Sequence, residues 1–272
     1  MAFSAPTLAS ETVAHIGSFA IRNSMIMGWA AMGILILVAF LLKKNGLKMV
    51  PRGLQNFVEA IVELLFNFFD SITQDRKQTK KFFPMVATIF LFVILSNWMG
   101  ILPGVGSIGF YEKHESAGEV AQISPELDVR SDSANEESDL VFVPVLRSAY
   151  ADINMTLALA IISIFVTQYF GIRMLGFFHY AGKFFVNPFK DFIGSFVGLL
   201  ELVSEFAKLV SFSFRLFGNI FAGEVLLVTI SFLAPFIAPV PFYGLEIFVG
   251  FVQALVFALL TLVFMKMAVT SH

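Results

Sequence analysis

Long runs of uncharged, mostly apolar residues determine the solvent in which this chain can fold. The first run covers residues 23–42 without a single charge. As an α-helix it would be about 30 Å long, which matches the hydrocarbon core of a bilayer. Hydrophobic residues make up 57% of the chain and charged residues 14%, against roughly 45–50% and 25% in soluble domains. The composition excludes a soluble enzyme and predicts an all-α polytopic membrane protein.

Similar apolar segments recur along the chain and predict about five membrane crossings in a single membrane domain. The last two crossings form a long tilted helical hairpin around a proline-rich turn. The predicted order is an N-terminal segment 1–22, span 23–42, a loop with an interfacial helix 43–81, span 82–102, an acidic loop 103–148, span 149–172, loop 173–190, long helix 191–234, turn 235–241 and long helix 242–269.

The basic residues of the loops predict the orientation of these spans. Lysines and arginines cluster within 43–52, 76–81 and 173–190, which fall on one side of the membrane if the spans alternate. The acidic stretch 111–139 and the N-terminus fall on the other side. The positive-inside rule therefore places the N-terminus outside and the C-terminus in the cytoplasm.

Several kinds of site are disfavoured by residue content. The chain has no cysteine and only four scattered histidines, so we expect no metal, no cofactor and no cysteine nucleophile. No GxxxxGK[ST] loop occurs, so nucleotide chemistry is not expected in this chain. The net charge of −2 gives no reason to expect nucleic acid as a partner.

One arginine lies in the middle of the apolar segment 211–224. Arg215 cannot lose its proton inside a protein, so burial cannot neutralise it. A charge of this kind at the centre of a bilayer costs at least about 2.5–3.5 kcal/mol. We therefore expect Arg215 to serve the function of the chain.

Arg215 belongs to a series of polar residues that recur at steps of three and four along the fourth predicted crossing. That spacing places them on one side of a helix, and lipid cannot solvate such a surface. At 1.5 Å per residue, Glu201 lies about 21 Å to the cytoplasmic side of Arg215 and Glu224 about 13 Å to the external side. The series consists of Glu201, Ser204, Glu205, Lys208, Ser211, Arg215 and Asn219.

The fifth predicted crossing adds two polar residues on one helical face, Glu246 and Gln253. Because the chain reverses at its prolines, Glu246 comes to the depth of Glu224, and Gln253 comes to the depth of Arg215. Carboxylates at the outer depth would carry protons inward, and polar groups at the inner depth would carry them out. The fixed cation between them would interrupt the path while attracting a carboxylate. This pattern predicts a gated proton path completed by a mobile acidic group of a partner.

Other interpretations of these residues stay open on the residues alone. Arg215 could form an ion pair in a structural membrane scaffold, or it could bind the anionic substrate of a secondary transporter. The lack of an internal repeat disfavours the transporter. Lys208 and Lys266 fit snorkelling or ion-paired side chains, and Ser204 and Ser211 fit helix packing.

The run Arg-Leu-Phe-Gly-Asn-Ile-Phe-Ala-Gly-Glu at 215–224 closely resembles the signature of subunit a of the F-type ATP synthase. The resemblance covers most of the chain from about residue 25 onward. It includes the spacing of the polar residues before Arg215, and Gln253 in the last helix. It also includes the stretch 151–157, which is similar to the entry of the third span, and Asn97 with Pro103, which are similar to the exit of the second.

The resemblance implies a non-catalytic stator subunit that translocates protons and couples their flow to rotation and ATP synthesis. The fourth and fifth helices would form two offset half-channels, and Arg215 between them would face a rotating ring of c subunits. Gln253 would lie close to Arg215, with Ser211 one turn before it. Asn219, Glu224 and Glu246 would line the external half-channel, and Glu201 and Ser204 would lie near the cytoplasmic one.

The same resemblance implies where the chain works and with what. The expected partners are the c-subunit ring, the b-subunit stator stalk, the other subunits of the ATP synthase and membrane lipid. The expected location is the inner (plasma) membrane of a bacterium, with several passes through it. ATP chemistry would reside in another subunit.

Overall fold

The computed structural model of the chain describes residues 10–17, 19–44, 46, 48–102, 104–106, 108–113, 140–182, 184, 192–235 and 237–270. Most of the predicted acidic loop therefore lies outside the described residues. The same is true of the first nine residues of the N-terminal segment and of the end of the loop predicted at 173–190.

The described residues are mostly helical. A single 3-10 turn at Ala149–Ala151 precedes the third long apolar helix. Five of the helices, namely α1, α3, α4, α6 and α7, are long and apolar enough to cross a membrane, which confirms the all-α polytopic fold with about five crossings. The helices are α1 Asn23–Lys44, α2 Leu54–Thr73, α3 Arg76–Gly100, α4 Ile153–Leu175, α5 Phe177–Ala181, α6 Phe192–Leu233 and α7 Pro239–Val269.

Local chemistry explains where several helices begin. Asp75 caps α3, because its carboxylate accepts hydrogen bonds from the backbone N–H groups of Lys77 and Gln78. Asp152 caps α4 in the same way through the N–H of Asn154. The last helix begins at Pro239, three residues before the predicted start at 242. A proline fits the first turn of a helix because its missing N–H would have no partner there.

Two antiparallel hairpins lie outside the helices and did not follow from the apolar runs. Strand β1 Thr12–Ile16 pairs with β2 Phe19–Arg22, and β3 Gly109–Lys113 pairs with β4 Leu140–Pro144. The first hairpin folds the N-terminal segment back towards the start of α1. The backbone N–H of Asn23 donates to the carbonyl oxygen of Glu11 over 3.1 Å.

The core lies where α3, α4 and α6 surround α7. Small residues and hydroxyl groups hold these helices close, as is common in membranes. Ser163 of α4 and Thr261 of α7 are linked through hydroxyls 2.8 Å apart, and Asn97 of α3 donates to the carbonyl oxygen of Gly250 over 2.9 Å. The largest fully buried apolar side chains are Tyr150, Phe69, Phe82, Phe212, Phe257, Leu216, Leu262, Met265, Val86 and Val93.

Helices α6 and α7 form the predicted long hairpin. Phe212 of α6 packs on Phe257 of α7 with ring centroids 4.8 Å apart. We call the end of this pair at the turn between Leu233 and Pro239 the hairpin end, and the opposite end, near Lys266, the open end. The hairpin end is the side predicted to be external.

Candidate ion-translocation site

The middle of α6 has one buried face and one exposed face, and Arg215 lies on the exposed one. Leu216 next to it is fully buried and Ile220 is 6% exposed, so the apolar face of the helix is fixed against the rest of the protein. The Arg215 side chain makes no hydrogen bond and no ion pair with any residue that the structure describes. The described part of the chain therefore contains no structural ion-pair partner for it.

Small residues lie one and two turns before and after Arg215 on the exposed face of α6. Ala207, Ser211, Gly218 and Ala222 are all exposed, at helical steps before and after the arginine. A Cβ atom added at Gly218 would meet no atom within 4 Å. The face is therefore shallow, so another helix could approach the guanidinium closely.

A buried carboxylate of α7 lies against α6 towards the hairpin end. Glu246 is only 7% exposed. A Cβ atom on Gly223 would come within 2.1 Å of its Oε1 atom, so the glycine leaves the space that the carboxylate occupies. Because Gly223 precedes Glu224, Glu224 and Glu246 lie at the same level of the helix pair.

Glu224 has a partner that the sequence did not reveal. Arg147 is 4% exposed, and its Nε atom donates to Glu224 Oε1 over 3.0 Å, while Nη2 donates to Oε2 over 3.3 Å. These two residues are 77 positions apart, so no helical period relates them. The available signal was weak: Arg147 is one of few basic residues on the side predicted to be external.

The charge of Arg147 also acts on a second carboxylate, Glu11 of the N-terminal segment. Burial raises the pKa of the Glu11 side chain, the positive charge of Arg147 lowers it, and the negative charge of Glu224 raises it further, with a net rise. The Oε2 atom of Glu11 is buried and accepts no hydrogen bond from the described residues. Glu11 was not among the predicted site residues.

Two amide side chains at the site have unused donors. Gln253 of α7 is 8% exposed, and Asn219 of α6 is half-buried. The Nε2 atom of Gln253 and the Nδ2 atom of Asn219 are buried without a hydrogen-bond acceptor among the described residues. No hydrogen bond joins Gln253 to Arg215 within that part of the chain, so their predicted proximity stays a prediction.

A separate polar network occupies the part of α6 nearer the open end. Lys208 Nζ donates to Glu205 Oε1 over 2.6 Å, and Gln168 Nε2 of α4 donates to Glu205 Oε2 over 2.9 Å. Tyr180 of α5 donates its hydroxyl to the Oε1 atom of Gln168. Lys208 is thus ion-paired, as expected. The predicted residues Glu201 and Ser204 lie beside this network, half-buried and exposed respectively.

Charges around the tyrosine and around the start of α4 shift two pKa values. Burial, followed by the negative charges of Glu205 and Glu201, raises the pKa of Tyr180 to about 12. At Asp152, burial acts to raise the pKa, but hydrogen bonds from Ser10, Asn154 and Ser24 together with Arg22 outweigh it and lower the value.

Metal coordination is not supported by the side chains that the structure describes. Among those residues no group of three or more histidines, aspartates or glutamates is placed to hold an ion. The polar groups of α6 instead fall into one set towards the hairpin end and one towards the open end, with the exposed Arg215 between them along the helix.

Comparison with known proteins assigns the chain to a family. Residues 25–266 match the family described as ATP synthase A chain. A protein named ATP synthase subunit a from Campylobacter jejuni subsp. doylei is 33% identical over 233 residues, which is 85% of this chain and 83% of the relative. One from Moorella thermoacetica is 30% identical over 259 residues, 95% of each chain. One from Syntrophobacter fumaroxidans is 29% identical over 266 residues, 95% of this chain and 89% of the relative. The chain belongs to the ATP synthase subunit a family.

Proposed function

We propose that this chain is the proton-translocating stator subunit of a rotary ATP synthase. Two offset half-channels lead to the exposed face of α6, one from each side of the membrane, and Arg215 separates them. Protons pass between the half-channels on the carboxylates of a rotating c-subunit ring, so that their flow turns the ring. Membership of the subunit a family supports this proposal.

The position of Arg215 is the observation that carries the proposal. An unpaired guanidinium at mid-depth of a long apolar helix is costly unless something outside the chain compensates it. The small residues around it let a helix with a carboxylate come close enough to do so. The arginine remains charged throughout, so it displaces the proton from each arriving carboxylate and prevents direct leakage between the half-channels.

The distribution of polar groups along α6 supports two half-channels rather than one continuous pore. Towards the hairpin end, Asn219, Glu224 and Glu246 would line the external half-channel, with Gln253 near mid-depth. Towards the open end, Glu201 and Ser204 would line the cytoplasmic one. At about 1.5 Å per residue, Glu201 and Glu224 lie roughly 35 Å apart along the helix. Ser211, exposed one turn from Arg215, would border the ring.

The energetics favour rotary coupling over direct use of single protons. One charge that crosses 100 mV releases about 2.3 kcal/mol, which is less than the formation of one ATP molecule requires. Several crossings must therefore be added, and a ring that advances one carboxylate at a time adds them. Arg215 keeps each crossing tied to one such advance.

The partners and location follow from this role. The chain works beside the c-subunit ring and is held by the b-subunit stator stalk in the inner membrane of a bacterium, with its N-terminus outside. The exposed apolar residues of α6, which include Phe206, Val210 and Phe214, would meet the ring or the lipid. ATP forms on other subunits, so the chain itself is not a catalyst.

Arg215→Ala in the complete, reconstituted complex tests the proposal. We expect proton-driven ATP synthesis in vesicles to fall to background, because nothing would discharge the ring carboxylates or block leakage. Arg173→Ala is the matched control: Arg173 is an exposed arginine of α4 that contacts only Tyr169 of the same helix among the described residues, and its removal should leave the rate unchanged. Synthesis at the wild-type rate by an assembled Arg215→Ala complex would contradict the proposal.

A further inference from the structure

Two carboxylates lie at one level of the α6–α7 pair, and they face different parts of the protein. The carboxylate of Glu246 lies over Gly223, where an added Cβ atom would come within 2.1 Å of Oε1, 2.4 Å of Cδ and 2.5 Å of Oε2. Glu224 follows Gly223 in the helix, so its side chain points about 100° away. It reaches Arg147, in the segment before α4.

Arg147 binds Glu224 with the forked end of its side chain. Nε donates to Oε1 over 3.0 Å and to Oε2 over 3.4 Å, and Nη2 donates to Oε2 over 3.3 Å. Arg147 is 4% exposed, and a guanidinium keeps its proton in proteins. This geometry favours an ionised carboxylate, and a proton on Glu224 would remove the negative charge that these N–H groups face. Glu224 is therefore held as an anion.

Glu246 has no comparable contact to lose. It is 7% exposed, and it makes no hydrogen bond and no ion pair with any residue that the structure describes. Binding or release of a proton by Glu246 therefore breaks no contact within that part of the chain. Of the two acids, Glu246 is the one whose charge can change while the surrounding bonds stay in place.

We propose that Glu224 and Arg147 form a permanent ion pair, and that Glu246 alone carries protons at this level of the half-channel on the hairpin side. This inference rests on the proposed function. An O–H bond forms on Glu246 with a proton from the hairpin side, and it breaks as the proton passes on to a ring carboxylate. Glu224 and Arg147 keep their charges throughout this exchange.

The other groups around the carboxylate of α7 come from three elements. Helix α3 packs on α7 through Asn97 and Trp98, which do not titrate. Helix α6 contributes Glu224, and the segment before α4 contributes Arg147, so these two charges offset each other. Glu11 of the N-terminal segment responds electrostatically to both of them, and it is kept in every variant described below.

The test compares the two acids in the complete complex. Vesicles are held at a fixed K⁺ diffusion potential and a fixed pH on the open-end side, and the initial rate of ATP synthesis per assembled complex is measured against pH on the hairpin side. Glu246→Gln should lower the rate on the order of a hundredfold, because a proton-transfer group is lost. The double variant Arg147→Gln with Glu224→Gln removes both charges and should keep the wild-type midpoint and a rate close to wild type.

The two single variants should shift the midpoint in opposite directions. Glu224→Gln leaves a positive charge that disfavours a proton on Glu246, so the midpoint should move about half a unit lower. Arg147→Gln leaves a negative charge, so the midpoint should move higher by about the same amount. Adding Glu224→Gln to Arg147→Gln should return the midpoint to its wild-type value. Any further interaction of Arg147 is missing from both variants in that comparison and does not affect it.

Several results would overturn the proposal. These are a wild-type rate in Glu246→Gln, a loss in the double variant as large as that in Glu246→Gln, and a midpoint that the double variant does not restore. Glu59→Gln is the control: it removes an exposed carboxylate of α2 that is bonded only to Gln55 among the described residues, and should leave the profile unchanged.

A second measurement decides the matter if the double variant does not assemble. An apolar carbodiimide, which reacts with protonated carboxyl groups, is applied to the wild-type complex at neutral pH, and the modified residues are identified by mass spectrometry. Label on Glu246 but not on Glu224 supports the proposal, and any other pattern at these two residues overturns it.

Arg215→Ala in the same vesicles separates this inference from the proposed function. If Arg215→Ala is inactive, the proposed function survives a failure of the roles assigned to Glu224 and Glu246. If Arg215→Ala is active, the proposed function itself fails.

Discussion

Gly223 of α6 offers a direct test of how tightly the carboxylate of Glu246 is positioned. A Cβ atom at residue 223 would lie 2.1 Å from Oε1, 2.4 Å from Cδ and 2.5 Å from Oε2 of Glu246. Ordinary contact between such atoms begins near 3.4 Å. Gly223→Ala would therefore force the carboxylate away by about 1.3 Å, which is nearly half the donor–acceptor distance of a hydrogen bond.

The size of the effect follows from this displacement. The obstructing atoms belong to the end of a flexible side chain, so the chain should still fold, at a cost of about 1–3 kcal/mol for the crowding. A misplacement of about 1 Å at a reacting group costs on the order of a hundredfold in rate. We expect proton-driven ATP synthesis by Gly223→Ala to drop ten- to a hundredfold in an assembled complex.

The assay is ATP synthesis in vesicles, normalised to the amount of assembled complex. Gly33→Ala is the control, because a Cβ atom at Gly33 of α1 meets nothing within 4 Å. The double variant Gly223→Ala with Glu246→Asp is the sharper comparison, since aspartate draws the carboxylate back by about 1.5 Å. It should be faster than Gly223→Ala alone. Unchanged synthesis in Gly223→Ala, or no recovery in the double variant, would refute the steric reasoning.

Two further predictions concern polar contacts at either end of the molecule, both measured as thermal unfolding in detergent. Asp152→Asn should lower the free energy of unfolding by about 1–2 kcal/mol at neutral pH, because the substitution weakens the cap of α4 and removes the ion pair with Arg22. The pKa of Asp152 is lower in the folded protein than its unfolded value of 3.8. The stabilisation that Asp152 provides is therefore complete above pH 3.8 and disappears as the pH falls through the folded pKa. A stability difference between variant and wild type that persists at strongly acidic pH would contradict this. Lys208→Met should cost about 1–3 kcal/mol because Glu205 loses its cation, and adding Glu205→Gln should recover part of the loss. A double variant less stable than Lys208→Met would show that the ion pair is not the cause.

The helical architecture was predictable because each membrane crossing is visible as a local run of apolar residues. A membrane span needs about twenty consecutive residues that lipid accepts, and no long-range contact is required to see them. The start of α7 was harder. Three prolines between 235 and 241 predicted a turn, yet a proline is also a good first residue of a helix, and α7 begins at the buried Pro239.

The candidate site was predictable only where its members share a helix. The series of polar residues from Glu201 to Asn219 was predictable because the residues recur at the period of a helix. Arg147 was not, since it meets Glu224 from a loop whose placement depends on tertiary contacts. The two short hairpins were missed for the same reason: neither contains an alternating pattern long enough to stand out from a loop.

Arg215 differs from the other cations of the helical core in what the chain provides for it. Arg147 has Glu224, Lys208 has Glu205, and Lys266 donates to the carbonyl oxygen of Ile72 over 3.1 Å. The protein thus supplies partners for cations in this membrane domain, but for Arg215 the described residues supply none. A stable partner within the chain would compete with any carboxylate that arrives from outside. It would weaken the electrostatic attraction by which Arg215 removes the proton from that carboxylate. Leaving the guanidinium unpaired among the described residues, with the small Ser211 and Gly218 one turn away on either side, is therefore consistent with a charge reserved for a moving partner.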